Sequence, residues 1–337
     1  MKFSKLKTTF CISMAILLLP SFLFALGTFN SIKSDKVTDE ISICSFNIKF
    51  VGHYKAKQND SIAEILKDFD IVVVQEMVAP PVDGIYPDNT SYMADKESKA
   101  FCDAMISRGF TYLLSPEDTG TNDTIHKNSS ATEWFIVFYK PDVLEEDNDF
   151  PSQFLADDRS NHADYERVPY AFSFQTIDEK MDFVLISVHL DAGNNLESRK
   201  RRKHELNAIR KWIHSNDTGI EKDFIILGDM NIYNLSELND ITPDGFISLN
   251  DECVKTTTSV NNVYPYDHVM YRPSYTSEIN TEFDLKVLNL VTAMEQYWNS
   301  ENGIYPGKPY SSKFPYYYSD HNPVSFKMIV PDKDDDI

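Results

Sequence analysis

The stretch Phe224-Ile225-Ile226-Leu227-Gly228-Asp229-Met230-Asn231 carries the reading of the fold. Four large apolar residues in a row describe a strand buried on both faces, and the run then opens through a glycine into an acid and an amide. The same pattern recurs along the chain. Ile41–Phe46 runs into Asn47, Ile71–Val74 into Gln75-Glu76, and Phe183–Val188 into His189 and Asp191. Ser319-Asp320-His321 stands just before a last apolar run, Val324–Ile329. Further strand-like runs occupy Phe135–Phe138 and Val269–Tyr271, and helical spacing marks 62–67, 99–107 and 197–213. The chain therefore reads as one α/β domain over residues 31–331, with neither an internal repeat nor a Gly/Ser linker to divide it. In α/β sheets ligands collect where strands end, so five polar clusters at strand ends point to one cleft.

Composition narrows the function. Lys and Arg number 32 against 52 Asp and Glu, a net charge of −20, which disfavours a protein that holds nucleic acid by bulk electrostatics. An enzyme that reaches phosphates through a bound cation remains open. With 42% hydrophobic and 25% charged residues the chain is globular, not disordered or fibrous. Lys2, Lys5 and Lys7 precede an apolar run from Phe10 to Leu26, with small residues at Ala25 and Gly27. Residues 1–30 thus read as a secretory signal peptide, with an N-terminal anchor as the alternative, and the destination as secreted or periplasmic. Residues 332–337 read as a solvated acidic tail. Four cysteines are too few for a disulfide scaffold; Cys44 reads as a buried thiol, and a Cys102–Cys253 bridge is allowed but not required. The Asn-x-Ser/Thr sequons at Asn59, Asn89, Asn122, Asn128, Asn216 and Asn234 are what an Asn-rich chain produces by chance.

Carboxylates and amides without a cysteine cluster suit a hard divalent cation, Mg²⁺ or Mn²⁺, with Ca²⁺ as a further structural candidate. Two histidines beside such a cation suggest phosphoester hydrolysis. One imidazole would accept a proton from attacking water, and the other would stabilise phosphoryl charge and the leaving oxygen.

The motifs Ser45-Phe46-Asn47-Ile48, Val74-Gln75-Glu76, Ser187-Val188-His189-Leu190-Asp191, Gly228-Asp229-Met230-Asn231, Tyr266-Asp267-His268-Val269 and Ser319-Asp320-His321-Asn322-Pro323-Val324 occur in the order seen in the endonuclease/exonuclease/phosphatase superfamily. The chain is most similar to its deoxyribonuclease I-like nucleases, over Ile41 to Phe326. Glu133 before the strand Phe135–Phe138, and Arg167-Val168-Pro169 opening another, strengthen that resemblance. It implies a four-layered sandwich of two mixed β-sheets flanked by helices. It also implies that Glu76 with Asn47 binds the catalytic cation and that Asp320 joins the metal and phosphate environment. His321 oriented by Asp267 would be general base or transition-state stabiliser, and His189 paired with Glu133 the acid at the leaving oxygen. Asp229 and Asn231 would hold the scissile phosphate and a second metal or the nucleophile, and Arg167 would contact a backbone phosphate. A DNA-cleaving monomer follows, preferring DNA to RNA. The alternatives are a phospholipid or sphingomyelin phosphodiesterase, or a binding protein without turnover.

Two positions depart from the pattern. Val78 stands where the deoxyribonucleases carry an arginine and Ala131 where they carry a tyrosine, both of which enter the DNA minor groove. His268 stands where that subgroup has arginine and receives no catalytic role. The basic run Ser198–His204 reads either as a track for a phosphate backbone or as a solvated helix face. The tyrosine-rich segment Tyr305, Tyr310, Phe314, Tyr316, Tyr317 and Tyr318 reads as a loop packed on the domain, as a stacking surface for unpaired bases, or as a lipid contact. Trp134 and Trp212 read as core.

Overall fold

A computed structural model describes residues 39–120, 132–158, 162–217, 219, 221–307 and 311–334. The expected signal or anchor, Ala131, Tyr310 and the last three residues lie outside them. Among the described residues two large mixed sheets form. The first runs β14 (Lys286–Val287), β15 (Val324–Ile329), β1 (Glu40–Val51), β2 (Ile71–Met77), β6 (Trp134–Tyr139), β5 (Thr111–Leu114). The second runs β12 (Ile247–Ser248), β13 (Asp267–Tyr271), β11 (Phe224–Asp229), β10 (Asp182–His189), β9 (Tyr170–Thr176), β7 (Leu144–Glu146), with β8 (Gln153–Phe154) also on β9. A small hairpin, β3 (Gly84–Ile85) and β4 (Ser91–Tyr92), stands apart.

Alternation along each strand builds four layers, as the resemblance implies. Ile41, Ile43, Ile71 and Val73 meet Phe183, Leu185, Ile225 and Leu227 between the sheets. The opposite faces carry Phe46, Val72 and Val74 onto helices α1 (Asn59–Leu66) and α2 (Lys96–Ile106). Val184, Ile186 and Ile226 pack against α3 (Leu196–Asn216) and α4 (Leu235–Ile241). Every residue of β2 is buried, which is why its first four, Ile71–Val74, read as an unbroken apolar run. Trp134 is core as expected, whereas Trp212 is only partly buried on the α3 side. Two short C-terminal helices complete the set, α5 (Leu290–Ala293) and α6 (Phe314–Tyr317).

Topology gathers the polar ends. β1 and β2 are parallel at the centre of one sheet, and β10 and β11 at the centre of the other, so their C-terminal ends share an edge. β15 and β13 pair antiparallel to β1 and β11 and bring their N-terminal ends to that same edge. His189, Asp229 and Asp267 lie on one rung of three adjacent strands. The strand expected over Ile41–Phe46 continues to Val51 through an irregularity, because Lys49 (φ 56°) and Phe50 (φ 51°) adopt left-handed conformations. β9 and the edge strands β5, β7 and β8 were not anticipated as apolar runs, since aromatic and polar residues interrupt them.

Candidate active site

The site is assembled from the ends of β1, β2, β10 and β11 and from the residues that flank β6, β13 and β15. Asn47 Nδ2 donates to Glu76 Oε1 at 2.9 Å and to Asp229 Oδ2 at 3.0 Å, joining carboxylates from the two sheets. Glu76 has φ 64°, a left-handed backbone for a non-glycine residue. It is held there by its own N–H, which donates to Glu133 Oε2 (2.7 Å), and by the Phe50 N–H on its Oε2 (3.1 Å). Beneath the site Ser45 Oγ, Gln75 and Ser187 Oγ form a chain of hydrogen bonds from one sheet to the other.

Two histidine–carboxylate pairs face each other across Asp229. His189 Nδ1 meets Glu133 Oε1 at 3.1 Å, and His321 Nδ1 meets Asp267 Oδ2 at 2.9 Å. Each contact turns the remaining ring nitrogen inward: His189 Nε2 lies 3.6 Å and His321 Nε2 3.5 Å from the same Asp229 Oδ2. Burial and Arg167 oppose charging of His189, but Glu133 and Asp229 outweigh them and raise its pKa. For His321 burial is overcome further by Asp267, Asp229 and Asp320, so its pKa stands well above the ordinary value. Asp229 is itself raised, by burial first and then by Asp267, against the pull of both histidines. Glu133 is lowered, because His189 and Arg167 prevail over burial.

The donor set fits a hard divalent cation. Glu76, His189 and Asp229 offer ligand atoms within 4.8 Å of one another, as do Asp229, Asp267 and His321. Asp267 Oδ1 and Asp320 Oδ1 are buried with no hydrogen-bond partner among the described residues, which is acceptor capacity in surplus. Two further expected residues have partners within the chain. Asn47 meets the carboxylates with its amide nitrogen, while its oxygen accepts from the Lys49 N–H (3.0 Å). Asp320 is engaged by Lys49 Nζ; burial would raise its pKa, but His321 and Lys49 hold it below the usual carboxylate range.

Asn231 (φ 50°) donates Nδ2 to Leu190 O (3.0 Å), and its N–H fixes Asp229 Oδ1 (3.0 Å). Arg167 lies behind the His189 pair, with Nε 3.4 Å from Glu133 Oε1 and a terminal nitrogen on His189 O (3.2 Å). The residue expected on a substrate phosphate is thus held against the His189–Glu133 pair. Val78 is buried, so nothing at that position reaches outward. His268 is fully buried against Ser248 Oγ (2.9 Å) and is pushed down to about 4 by burial, in keeping with a structural role. Cys44, Cys102 and Cys253 are free thiols.

Two lysines were missed. Lys49 shares a motif with Asn47, and its two-residue spacing was the available signal. Lys57 had none: it is buried, donates to Ile48 O (2.6 Å), Pro315 O (3.3 Å) and Tyr318 O, and ties the end of β1 to the segment before Asp320. Burial brings its pKa down to about 7.

Each cation of the basic run on α3 has a partner within the chain. Arg202 is 1% exposed, with Nε on Glu237 at 3.0 Å, and Arg199 and Lys203 both pair with Asp240. Lys200 pairs with Glu197, and Arg201 donates to Ala163 O. In the tyrosine-rich segment Phe314 and Tyr318 are fully buried, and Tyr317 packs on the core.

No family model and no curated protein matches the chain by sequence. By fold it is similar to an endonuclease/exonuclease/phosphatase family protein from Bacteroides thetaiotaomicron, at TM-score 0.57 and 15% identity over 87% of this chain and 95% of that one. A mannosyl-6-phosphatase from the same organism superimposes at TM-score 0.52 and 15% identity, covering 85% and 98%. The human Nocturnin catalytic domain, with a bound sulfate anion, does so at 0.50 and 15%, covering 86% and 93%.

Proposed function

We propose that this chain, which has the fold of the endonuclease/exonuclease/phosphatase enzymes, is an exported, divalent-metal-dependent phosphodiesterase that cuts DNA internally. The observation that carries the reading is the pair of buried histidines whose inner nitrogens lie 3.6 and 3.5 Å from one carboxylate oxygen. Each is fixed in tautomer by its own acid, the arrangement that proton transfer at both ends of a displacement requires.

Glu76, His189 and Asp229 would supply the ligand atoms for the cation. When bound, the cation polarises the phosphoryl oxygens and offsets their charge. Asp267 keeps His321 Nε2 directed inward to take the proton of the attacking water as its oxygen bonds to phosphorus. Glu133 does the same for His189, which delivers a proton to the oxygen leaving as the second P–O bond breaks. Asn231 and Asp229 position the phosphate, and Arg167 stiffens the Glu133–His189 pair. Export is supported by the lysines and apolar run of residues 1–30.

The same fold serves a protein named a mannosyl-6-phosphatase, so monoester hydrolysis is the competing chemistry. The test uses covalently closed substrates, which have no terminal monoester: circular single-stranded DNA and supercoiled plasmid, with Mg²⁺ or Mn²⁺, with EDTA, and with His321→Ala. Linearised or nicked circles, lost with EDTA and in the variant, are expected. Intact circles alongside released phosphate from a sugar phosphate would overturn the assignment.

A further inference from the structure

Two groups of aromatic rings adjoin the histidine–carboxylate centre, and the proton transfers use neither. The first lies where β1 leaves its sheet. The N–H of Phe50 is bound to Glu76, and its ring meets Tyr54 edge-on with centroids 5.7 Å apart. Tyr54 in turn meets Tyr316 edge-on at 4.7 Å, and Tyr316 is 49% exposed. The second lies beside His321. Tyr266 stands 5.8 Å from the His321 ring and stacks on Tyr264 at 5.1 Å with 18° between planes. Tyr233, two residues past Asn231, closes on both at 5.0 and 5.1 Å, and its hydroxyl donates to Ala192 O at 3.1 Å. Tyr54, Tyr233, Tyr264 and Tyr266 are all half-buried. Rings held rigid by one another but left partly open are prepared to stack on a flat ligand group.

We propose that these two clusters are stacking platforms for bases of an unpaired DNA strand lying to either side of the phosphate that is cut. The inference rests on the phosphodiesterase reading and names its substrate form. In a duplex the base faces are covered by their neighbours, whereas a single strand can splay them onto aromatic side chains. A duplex is gripped chiefly through cationic contacts to its two backbones. Among the described residues, the basic run Arg199–Lys203 of α3 is paired with acids and carbonyls of the chain, Lys49 with Asp320, and Arg167 with Glu133. Stacking needs no net positive charge and suits a chain at −20. A lipid contact fits less well, because a membrane-inserting segment exposes its apolar residues, and here Phe314 and Tyr318 face inward.

The test measures KM and kcat on a labelled single-stranded 20-mer, the same strand annealed to its complement, and a version carrying base-free linkers. For the wild-type chain we expect the intact single strand to be preferred over both others. Tyr264→Ala and Tyr316→Ala should each raise KM for the single strand about 5- to 100-fold, the range of one lost stacking contact. Tyr264→Phe and Tyr316→Phe, which keep the ring, should restore the wild-type value. Equal use of the three substrates by the wild-type chain would overturn the proposal, as would unchanged KM in both alanine variants. Faster hydrolysis of phosphatidylcholine vesicles than of the oligonucleotide would also overturn it, giving the rings to lipid. Failure of the wild-type chain to cut any of the three polynucleotides would instead refute the underlying nuclease reading.

Discussion

Asp229 Oδ2 is the atom on which the site closes, with His189, His321 and Asn47 all within 3.6 Å of it. Because both histidines have raised pKa values, each is held protonated to higher pH than a free imidazole. In the proposed mechanism the two imidazoles differ by what each would face, the attacking water or the leaving oxygen. A leaving-group experiment separates them. With a p-nitrophenyl diester, whose leaving oxygen needs no proton, His189→Ala should lose less than about 10-fold in kcat, against roughly 10²- to 10⁴-fold on DNA. His321→Ala should lose heavily on both. The reverse pattern would exchange the assignments. Asp267→Asn should also reduce kcat by roughly 10²-fold or more while leaving the chain folded by circular dichroism, since it loses the tautomer lock. The residue types of the site were legible as polar strand ends. The pairings were not: Glu133 lies 56 residues from His189, and Asp267 lies 54 from His321. They came from the resemblance and not from spacing.

At the level of elements, parallel pairing of β10 with β11 is what sets His189 beside Asp229. Gly228 makes that approach feasible, with φ +142° and a Cβ that would fall 2.1 Å from Val188 O. Gly228→Ala must therefore push β11 off β10. We expect a loss of roughly 2–4 kcal/mol by urea denaturation, in the range of strained-backbone and overpacking substitutions, and a fall in kcat as Asp229 moves. An unchanged denaturation midpoint would contradict this close approach. Lys57 acts similarly from the other side. Lys57→Met removes the donor to three carbonyls and should destabilise the chain by about 3 kcal/mol while weakening cation binding, as Glu76 and Asp320 lose their fixed spacing. The buried runs of β1, β2, β10, β11 and β15 were readable because both faces are covered. β9 was anticipated only at its start, after Arg167-Val168-Pro169: Ser173 and Gln175 interrupt its aromatics, and what they meet, Asp147 and Glu145, is far away in sequence. The partners of the α3 run were not legible either, since the acids that pair with it lie mainly on α4.

For the whole molecule, a net charge of −20 with five carboxylates converging on one edge predicts that a divalent cation stabilises the fold. Mg²⁺ or Mn²⁺ at millimolar concentration should raise Tm above its value in EDTA, because binding to the folded state alone shifts unfolding by mass action. A Glu76→Gln, Asp229→Asn double variant should lose most of that shift. Acid acts in the other direction through His268. Its pKa is about 4 in the fold, against about 6.5 in an unfolded chain, so between these values the unfolded state binds the extra proton. Stability is therefore whole above pH 6.5 and falls as pH drops toward 4, by up to about 3 kcal/mol from this residue. His268→Gln, measured by denaturant titration at pH 7.5 and pH 5, should flatten that slope; an unaltered slope would place the acid sensitivity elsewhere.

The most direct measurement is hydrolysis of bis(p-nitrophenyl) phosphate by metal-stripped protein titrated with Mg²⁺ and, separately, Mn²⁺, with His321→Ala alongside. Negligible release of nitrophenolate before cation is added, saturable recovery with cation, and none in the variant is the expected result. Hydrolysis that persists in EDTA or in His321→Ala, or a fully loaded, folded protein that leaves the diester intact, would contradict a metal-dependent phosphodiesterase built on these two histidines.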